Sequence, residues 1–255
     1  MKLIDLSVSI IHDCPSEVDS AMPQITYVSH KEGVSKMLKR FPGITPRDLP
    51  NGNAWAYEMV TLQTHSGTHM DAPYHYGPLM EDGRPTRTID QMPLDWFYHD
   101  GVMLDFSGHP ANEVLTVEDY KKELSRIGYR LKPFDIVLIH TEAADYWGSS
   151  EYLVKGAGTG REATLWLTEQ GIRVMGTDAW SWDRPLSLTA EEFRKTKDKS
   201  LIWEGHYAGL HTEYCHMEKL ANLHLLPPFG FKVAAFPIKV QKAGGGWVRT
   251  VAILP

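Results

Sequence analysis

The sequence lacks the features that mark disulfide-stabilised, membrane and nucleic-acid-binding proteins. Only Cys14 and Cys215 occur among 255 residues, and their wide separation suits neither a disulfide framework nor a CxxC site. No apolar run approaches the roughly 18 residues of a membrane helix. The net charge of -6 and the lack of a long Lys/Arg block offer no basic surface. We therefore expect no membrane span and no nucleic-acid partner.

Further absences narrow the chemistry. No GxSxG motif occurs, which removes the main support for a serine hydrolase. The stretch Gly156–Gly160 lacks the GxGxxG spacing of a dinucleotide site, so we interpret it as the entry to a helix. Asp5 interrupts the apolar stretch that a signal peptide needs, and together with the few cysteines this favours a reducing cytoplasm.

What is present is typical of a single globular domain spanning residues 1–255. Apolar residues make up 42% of the chain, and no linker, repeat or low-complexity tract divides it. A domain of this size buries a sufficient core without a structural metal, so any bound metal is free to be catalytic.

Seven short segments, rich in β-branched residues and bounded by Gly, Pro or Asp, predict strands. They are Leu3–Ile11, Trp55–Thr64, Gly101–Asp105, Asp135–His140, Val174–Thr177, Val233–Ile238 and Val248–Leu254. One helix is predicted to begin after Thr116, one covers Arg161–Gln170, and a capping box predicts a third from Thr189. The segments Ser29–Asn53 and Leu186–Glu204 are predicted to be irregular. This mixture indicates an α/β fold with a mixed, partly barrel-like sheet.

Side chains that bind metals concentrate in one segment of eleven residues. Spaced four, two and four positions apart are His65, His69, Asp71 and His75. Imidazole and carboxylate groups are usual protein ligands of Zn²⁺ and Mn²⁺. The alternative is an ordinary hydrogen-bonded loop, but three of the chain's 12 histidines in so short a segment favour a metal site.

The glycine and the proline of this segment predict its conformation. Gly67 and Pro73 disfavour a continuous helix. We predict a strand that ends at Thr64, followed by a glycine-shaped loop. In that loop His69 and Asp71 can point the same way because they are two residues apart.

A second group of candidate ligands lies far downstream, between residues 206 and 218. Spacing alone does not choose among its members, which are His206, His211, Glu213, His216 and Glu218. Acids and hydrogen-bonded histidines are common on protein surfaces, so this segment by itself predicts a site less strongly than the first.

The segment His65–His75 resembles the HxGTHxDxPxH signature of the cyclase family, which includes bacterial kynurenine formamidase and isatin hydrolase. Similarity continues at Asp5–Ser7, at Gly176–Asp183 and at Pro237–Ile253. The resemblance implies a swivelling β/β/α-type domain with a mixed, barrel-like sheet, assembled as a homodimer or homotetramer.

The resemblance also implies roles at the site. One metal ion would be held by His65, His69 and Asp71. Asp71 would bridge to a second ion, held further by Glu218, which begins a family-like segment Glu218–Leu223, and by His206, twelve positions before it. His75 would be the general acid/base. Zn²⁺ or Mn²⁺ is expected, with one or two ions per chain. The formamidase pattern implies two ions, whereas isatin hydrolase-like members use a single Mn²⁺.

These residues predict hydrolysis of a small amide or cyclic amide at a C–N bond other than a peptide bond. Metal-bound hydroxide would attack the carbonyl, and His75 would pass a proton to the leaving nitrogen. One alternative is a dehydratase or ring-closing cyclase on the same site, and another is a non-catalytic metal- or ligand-binding protein.

The substrate is expected to be a small molecule, aromatic compounds included, with Trp180 and Trp182 near it. Formamidases carry a Trp-Pro-Gly-Asp-like stretch where this chain has Cys14–Glu17, so N-formylkynurenine is not predicted to be its best substrate.

Overall fold

A computed structural model describes residues 1–255 and contains thirteen strands and six α-helices. The strands are β1 (Lys2–Asp5), β2 (Gln24–Val28), β3 (Tyr57–Thr61), β4 (His69–Asp71), β5 (Tyr98–Asp105), β6 (Val114–Leu115), β7 (Ile136–His140), β8 (Gly158–Thr159), β9 (Val174–Thr177), β10 (Cys215–Glu218), β11 (Phe231–Ala234), β12 (Gly245–Trp247) and β13 (Val251–Leu254). The helices are α1 (His30–Arg40), α2 (Pro73–Tyr76), α3 (Val117–Ile127), α4 (Arg161–Glu169), α5 (Leu186–Thr196) and α6 (Glu204–Ala208). None of the helices is long and apolar enough to cross a membrane.

Nine strands form one mixed sheet in the order β1-β13-β11-β5-β7-β9-β10-β4-β12. Its strands β5, β7, β9 and β10 run parallel, and the remaining pairs are antiparallel. Strand β1 lies at one end of this order and β10 near the other. The residues that follow these two strands nevertheless meet: the Ala221 N–H donates to the Leu6 carbonyl (2.9 Å), and Ser7 forms a β-bridge with Leu220. The sheet is therefore curled into a half-barrel, which confirms the predicted fold class.

The core lies on both faces of this sheet. Along β7, Ile136 and Leu138 belong to a cluster of 21 buried residues, whereas Val137 and Ile139 belong to a second cluster of 16. Successive side chains of a strand point to opposite faces, so a continuous apolar strand means that both faces are covered. The second cluster includes residues of α3 and α4, and the first is closed by the strands of the curled sheet.

The predicted helix after Thr116 is α3, and its capping box and left-handed stop at Gly128 follow the sequence signals. Every segment predicted as a strand overlaps an observed one, although β1 ends at Asp5, β3 at Thr61 and β11 at Ala234, earlier than predicted. Strand β3 pairs only with β2, outside the main sheet.

The two segments predicted to be irregular contain helices, so that prediction is wrong. Helix α1 begins after Ser29, which forms a capping box with Glu32. Only Gly33 of its residues is buried, although the helix also carries apolar residues at helical spacing, namely Val34, Met37 and Leu38, which the prediction of an irregular segment overlooks. Helix α5 begins at Leu186, and Thr189 lies within its first turn, where its hydroxyl bonds back to the backbone. The helix start predicted at Thr189 is therefore wrong as well.

Candidate metal centre

Two paired strands bring distant candidate residues together. Strand β4 is antiparallel to β10, with His69 opposite Glu218 and Asp71 opposite His216. Side chains of directly opposite residues share a face, so these four groups project toward one place. The expectation of a loop at His69–Asp71 is wrong: the segment is a strand between β10 and β12, and three residues are too few for an alternating pattern to reveal it.

A turn before β4 and a short helix after it supply two more histidines. Gly67 has a φ of +63°, the left-handed conformation that glycine allows without strain. This turn sets His65 beside Asp71, with His65 Nδ1 2.7 Å from Asp71 Oδ1. Helix α2 carries His75, whose Nε2 lies 3.6 Å from Asp71 Oδ2 and whose ring stacks on His65 at 4.0 Å.

Helix α6 supplies His206, and Asp183 holds it. The Asp183 carboxylate contacts His206 Nδ1 and accepts the backbone N–H groups of Gly205 (2.7 Å) and His206 (3.2 Å). His206 Nε2 then faces the centre, 3.5 Å from Glu218 Oε1 and 3.7 Å from Asp71 Oδ2. A carboxylate behind a histidine is the arrangement that orients a metal-binding imidazole.

The possible ligand atoms fall into two groups, and within each group all the atoms lie within 4.8 Å of one another. The inner group contains Asp71, His206, His216 and Glu218, all buried. The outer group contains His65, Asp71 and His75, and its two histidine side chains are 24% and 26% exposed. Asp71 belongs to both groups, and His69 lies between them, 3.2 Å from Asp71 and 3.5 Å from Glu218.

The hydrogen bonds of His69 test whether these residues fit a metal. Its Nδ1 lies 2.9 Å from the Gly67 carbonyl, which can only accept, so Nδ1 carries the proton and Nε2 offers a lone pair. That buried Nε2 has no hydrogen-bond partner, and neither has Asp71 Oδ2. A lone pair facing carboxylate oxygens is repulsive unless a cation lies between them. Imidazole and carboxylate donors suit a divalent metal, so the residues fit one.

The electrostatics of the two groups differ. Burial lowers the pKa of His75 to about 4, against the opposing effect of the Asp71 carboxylate. Burial also disfavours the charged form of His206, but the Asp183 carboxylate outweighs it and raises the pKa of His206 to about 10. His75 is therefore a neutral imidazole near pH 7.

The structure brings all six predicted site residues to this centre, namely His65, His69, Asp71, His75, His206 and Glu218. The rejected candidates His211 and Glu213 lie away from it, paired with Glu81 and Arg87. His216 also reaches the centre, although the family resemblance does not select it. Its position two residues before Glu218 is the signal, because on a strand the two share a face. Asp183, which holds His206, is not predicted as a site residue either.

A cavity of about 240 Å³ opens at the outer group, and its lining includes His65, His75, Trp180, Ser181 and Trp203. Trp180 lies at the cavity, as expected from the sequence. Trp182 does not: it is fully buried in the core, where its Nε1–H donates to Thr164 Oγ1 (3.0 Å). The prediction for Trp182 is wrong because the chain turns inward at this residue to bond the Glu218 carboxylate through its backbone N–H.

A family model described as "Putative cyclase" matches residues 4–184. The chain belongs to the cyclase family. The match covers β4 and the outer group but ends before α6 and β10, so His206, His216 and Glu218 lie outside it.

Other cyclase-family proteins are similar over most of their length. Kynurenine formamidase from Erythrobacter litoralis (strain HTCC2594) is 28% identical over 200 residues, covering 75% of this chain and 74% of that protein. An isatin hydrolase solved with the product analogue thioisatinate superposes with a TM-score of 0.77 at 18% identity, covering 100% and 92%. Isatin hydrolase A from Ralstonia solanacearum gives a TM-score of 0.78 at 21% identity, again covering 100% and 92%. These structures share the fold of this chain.

Proposed function

We propose that this cyclase-family protein is a metal-dependent hydrolase that cleaves a C–N bond, other than a peptide bond, in a small amide or cyclic amide. The orphaned His69 Nε2 among carboxylates, beside a cavity of small-molecule size, carries the proposal. Relatives named kynurenine formamidase and isatin hydrolase support the amide class.

The proposed metal is Zn²⁺ or Mn²⁺, with one or two ions per chain. One ion would be held by His65, His69 and Asp71, and a second by Asp71, His206 and Glu218. Such an ion supplies an activated water near neutral pH and a Lewis acid for the substrate carbonyl. Asp183 keeps His206 turned toward the centre, and the Trp203 ring, stacked on His206 at 4.3 Å, excludes water from that side.

His75 is proposed to move the proton. Its ring is neutral, reaches the cavity and stands edge-on to Trp203 at 5.0 Å. A neutral imidazole takes a proton from the attacking water and delivers it to the leaving nitrogen, which an amide requires because its leaving group is a poor anion. The partly exposed position of His75 brings it within reach of a substrate.

The cavity favours a small substrate with an aromatic or otherwise flat apolar part. Trp180 and Trp203 line it, and beyond Leu186 and Trp203 lies a second, mainly apolar cavity of about 350 Å³. The segment Cys14–Glu17 contributes little to this lining, since its Cys14, Ser16 and Glu17 are buried. This supports the expectation that N-formylkynurenine is not the best substrate.

The test combines metal analysis with a substrate screen. Protein purified without chelator should carry one or two Zn²⁺ or Mn²⁺ per chain by elemental analysis. Formanilides, isatins and cyclic imides should be screened by mass spectrometry, and the product should be one water heavier than a cyclic substrate. A product one water lighter would indicate a dehydratase or ring-closing cyclase. Absence of metal, even after titration, would rule out the proposal.

We further propose that the protein is a cytoplasmic homodimer or homotetramer in which residues 24–61 contact a second copy. Gly33 is the one buried residue of this segment, while Tyr27 and Met59 are 63% and 57% exposed. The two strands of this segment, β2 and β3, pair only with each other. Exposed apolar side chains on such a segment favour contact with another protein chain. Sedimentation should give a dimer or tetramer, and Tyr27→Lys combined with Met59→Lys should weaken it. A monomer at all concentrations would contradict the assembly, and cell fractionation tests the location.

A further inference from the structure

His216 lies in the inner group although neither its spacing nor the family resemblance selected it. It is fully buried on β10, directly opposite Asp71. Its Nε2 lies 3.2 Å from Glu218 Oε1 and 3.4 Å from Asp71 Oδ2. An imidazole nitrogen that faces two carboxylates without water must either carry a proton or bind a cation.

The ring of His216 is packed against two nearly parallel aromatic rings and is held at its far nitrogen. Tyr76 stacks on it at 5.5 Å with a 9° tilt, and Trp182 stacks at 5.7 Å with a 22° tilt. Its Nδ1 lies 3.0 Å from the Tyr76 hydroxyl. The nitrogen Nε2 therefore has one direction available, toward the carboxylates.

The Tyr76 hydroxyl allows two tautomers of His216. The hydroxyl also reaches the backbone carbonyls of Tyr214 (3.4 Å) and Asp71 (3.5 Å), which can only accept a hydrogen bond. If Tyr76 donates to a carbonyl, its oxygen accepts from Nδ1–H, and Nε2 presents a lone pair to the centre. If Tyr76 donates to Nδ1 instead, Nε2–H donates to Glu218. The first tautomer suits a metal-loaded centre and the second suits an empty one.

We propose that His216 is a direct ligand of the inner metal ion and that Tyr76 fixes the tautomer which makes it one. This inference rests on the metal centre of the proposed function. It gives the inner ion four protein ligands in a buried site, Asp71, His206, His216 and Glu218. Sites closed by four protein ligands hold metals structurally, whereas catalytic sites keep a position open. The inner ion is therefore the retained one, and the outer ion meets the substrate.

The experiment measures metal binding directly and does not depend on turnover. Wild type, His216→Phe, Tyr76→Phe and the control His211→Phe are stripped with chelator and titrated with Zn²⁺, then with Co²⁺, whose absorption reports its ligands. His211 is an exposed histidine close by in sequence. We expect His216→Phe to lose the tighter ion and to change the Co²⁺ spectrum. Tyr76→Phe should keep that ion with an affinity about 10–100-fold lower, and His211→Phe should match wild type.

The outcomes separate this inference from the proposed function. A folded His216→Phe that binds both ions with wild-type affinity and an unchanged Co²⁺ spectrum overturns the role of His216, while hydrolysis by wild type would stand. Wild type that binds no metal overturns both proposals. If His216→Phe does not fold, ¹⁵N NMR of wild type decides: Zn²⁺ should produce the Nδ1–H tautomer of His216, and a retained Nε2–H would overturn the inference.

Discussion

The inner and outer groups of this centre use the same kinds of side chain in different surroundings. The inner residues lie on strands β4 and β10 and on helix α6, and all are buried. The outer histidines lie on a turn and on the one-turn helix α2, and about a quarter of each side chain is exposed to the cavity. Paired strands fix positions more rigidly than a turn does. This difference supports the proposal that the inner ion is the retained one and that the outer group meets the substrate.

His206 and His75 show how this difference arises. Burial pushes the pKa of both rings downward, yet that of His206 is raised to about 10 and that of His75 falls to about 4. Asp183 bonds to the far nitrogen of His206, whereas the nearest carboxylate to His75 is Asp71 at 3.6 Å. A carboxylate behind the ring orients an imidazole for metal binding, which supports the proposed ligand role of His206, and the lack of one supports the proposed proton transfer by His75.

The largest expected effect comes from removing the residue that the groups share. Asp71→Asn should empty both groups and bring hydrolysis below detection, because the amide is a weaker ligand and carries no charge. Elemental analysis and a hydrolysis assay check this, with Asp82→Asn, a change at an exposed acid, as the control. An Asp71→Asn protein that keeps two ions would mean that the groups do not share this carboxylate.

A large effect on turnover alone is expected at His75. His75→Ala should keep the metal content and lower kcat for an amide by about 10²–10⁴, the usual scale for general acid–base catalysis. The loss should be smaller for an activated ester, whose leaving group needs no proton. His65→Ala, by contrast, should lose metal and activity together. If His75→Ala empties the centre, His75 is a ligand, as its distance to Asp71 also allows.

The outer group could be predicted from the sequence because its members lie within eleven residues, and no knowledge of the fold is needed to bring them together. The inner group depends on the pairing of β4 with β10, which local patterns do not encode. The resemblance to the family selects His206 and Glu218, and it passes over His216. The reason is that β10 is not among the predicted strands, so the alternation that places His216 and Glu218 on one face does not enter the prediction.

The helices show what local signals can and cannot predict. Helix α3 has a capping box, an apolar face and a glycine stop, and all three signals lie within its own sequence. Helix α1 also has a capping box and apolar residues at helical spacing, Val34, Met37 and Leu38, yet Gly33 is its only buried residue. A Cβ at Gly33 would meet the Trp55 carbonyl at 2.2 Å, so only glycine fits there. This contact between distant residues cannot be predicted from local sequence. The same local signals therefore accompany a helix that packs against the core and one that stays largely exposed, and they do not tell the two apart.

A moderate effect, confined to the inner group, is expected from the residue behind His206. Asp183→Asn should lower Zn²⁺ affinity by about 10–100-fold, the usual effect of losing the partner that orients a ligand. Calorimetric titration of the stripped protein measures it, and Asp198→Asn on the exposed surface is the control. The outer ion should bind as in wild type. An equal loss at both ions would show that Asp183 supports the whole fold and not His206 in particular.

The smallest effect on the centre is expected from a buried ion pair beneath the outer group. Lys219 Nζ lies 2.7 Å from Glu17 Oε2 and donates to the His65 carbonyl (2.7 Å), while Glu17 Oε1 accepts from the Gly67 N–H (2.6 Å). Both side chains are almost fully buried. Through these hydrogen bonds the ion pair supports the turn that carries His65. Removing one partner leaves an uncompensated buried charge, which costs about 3–5 kcal/mol.

Lys219→Met should therefore lower the free energy of unfolding by about 3–5 kcal/mol, and the double variant Glu17→Gln/Lys219→Met should recover part of the loss, because no charge is then left unpaired. The affinity of the outer ion should fall by less than about tenfold, below the effect of a direct supporting partner. The inner ion should not respond. Denaturant unfolding of the stripped protein and Zn²⁺ titration measure the two quantities separately. An equal loss of affinity for both ions would mean that the two groups are coupled through Lys219, which directly follows Glu218, the last residue of β10.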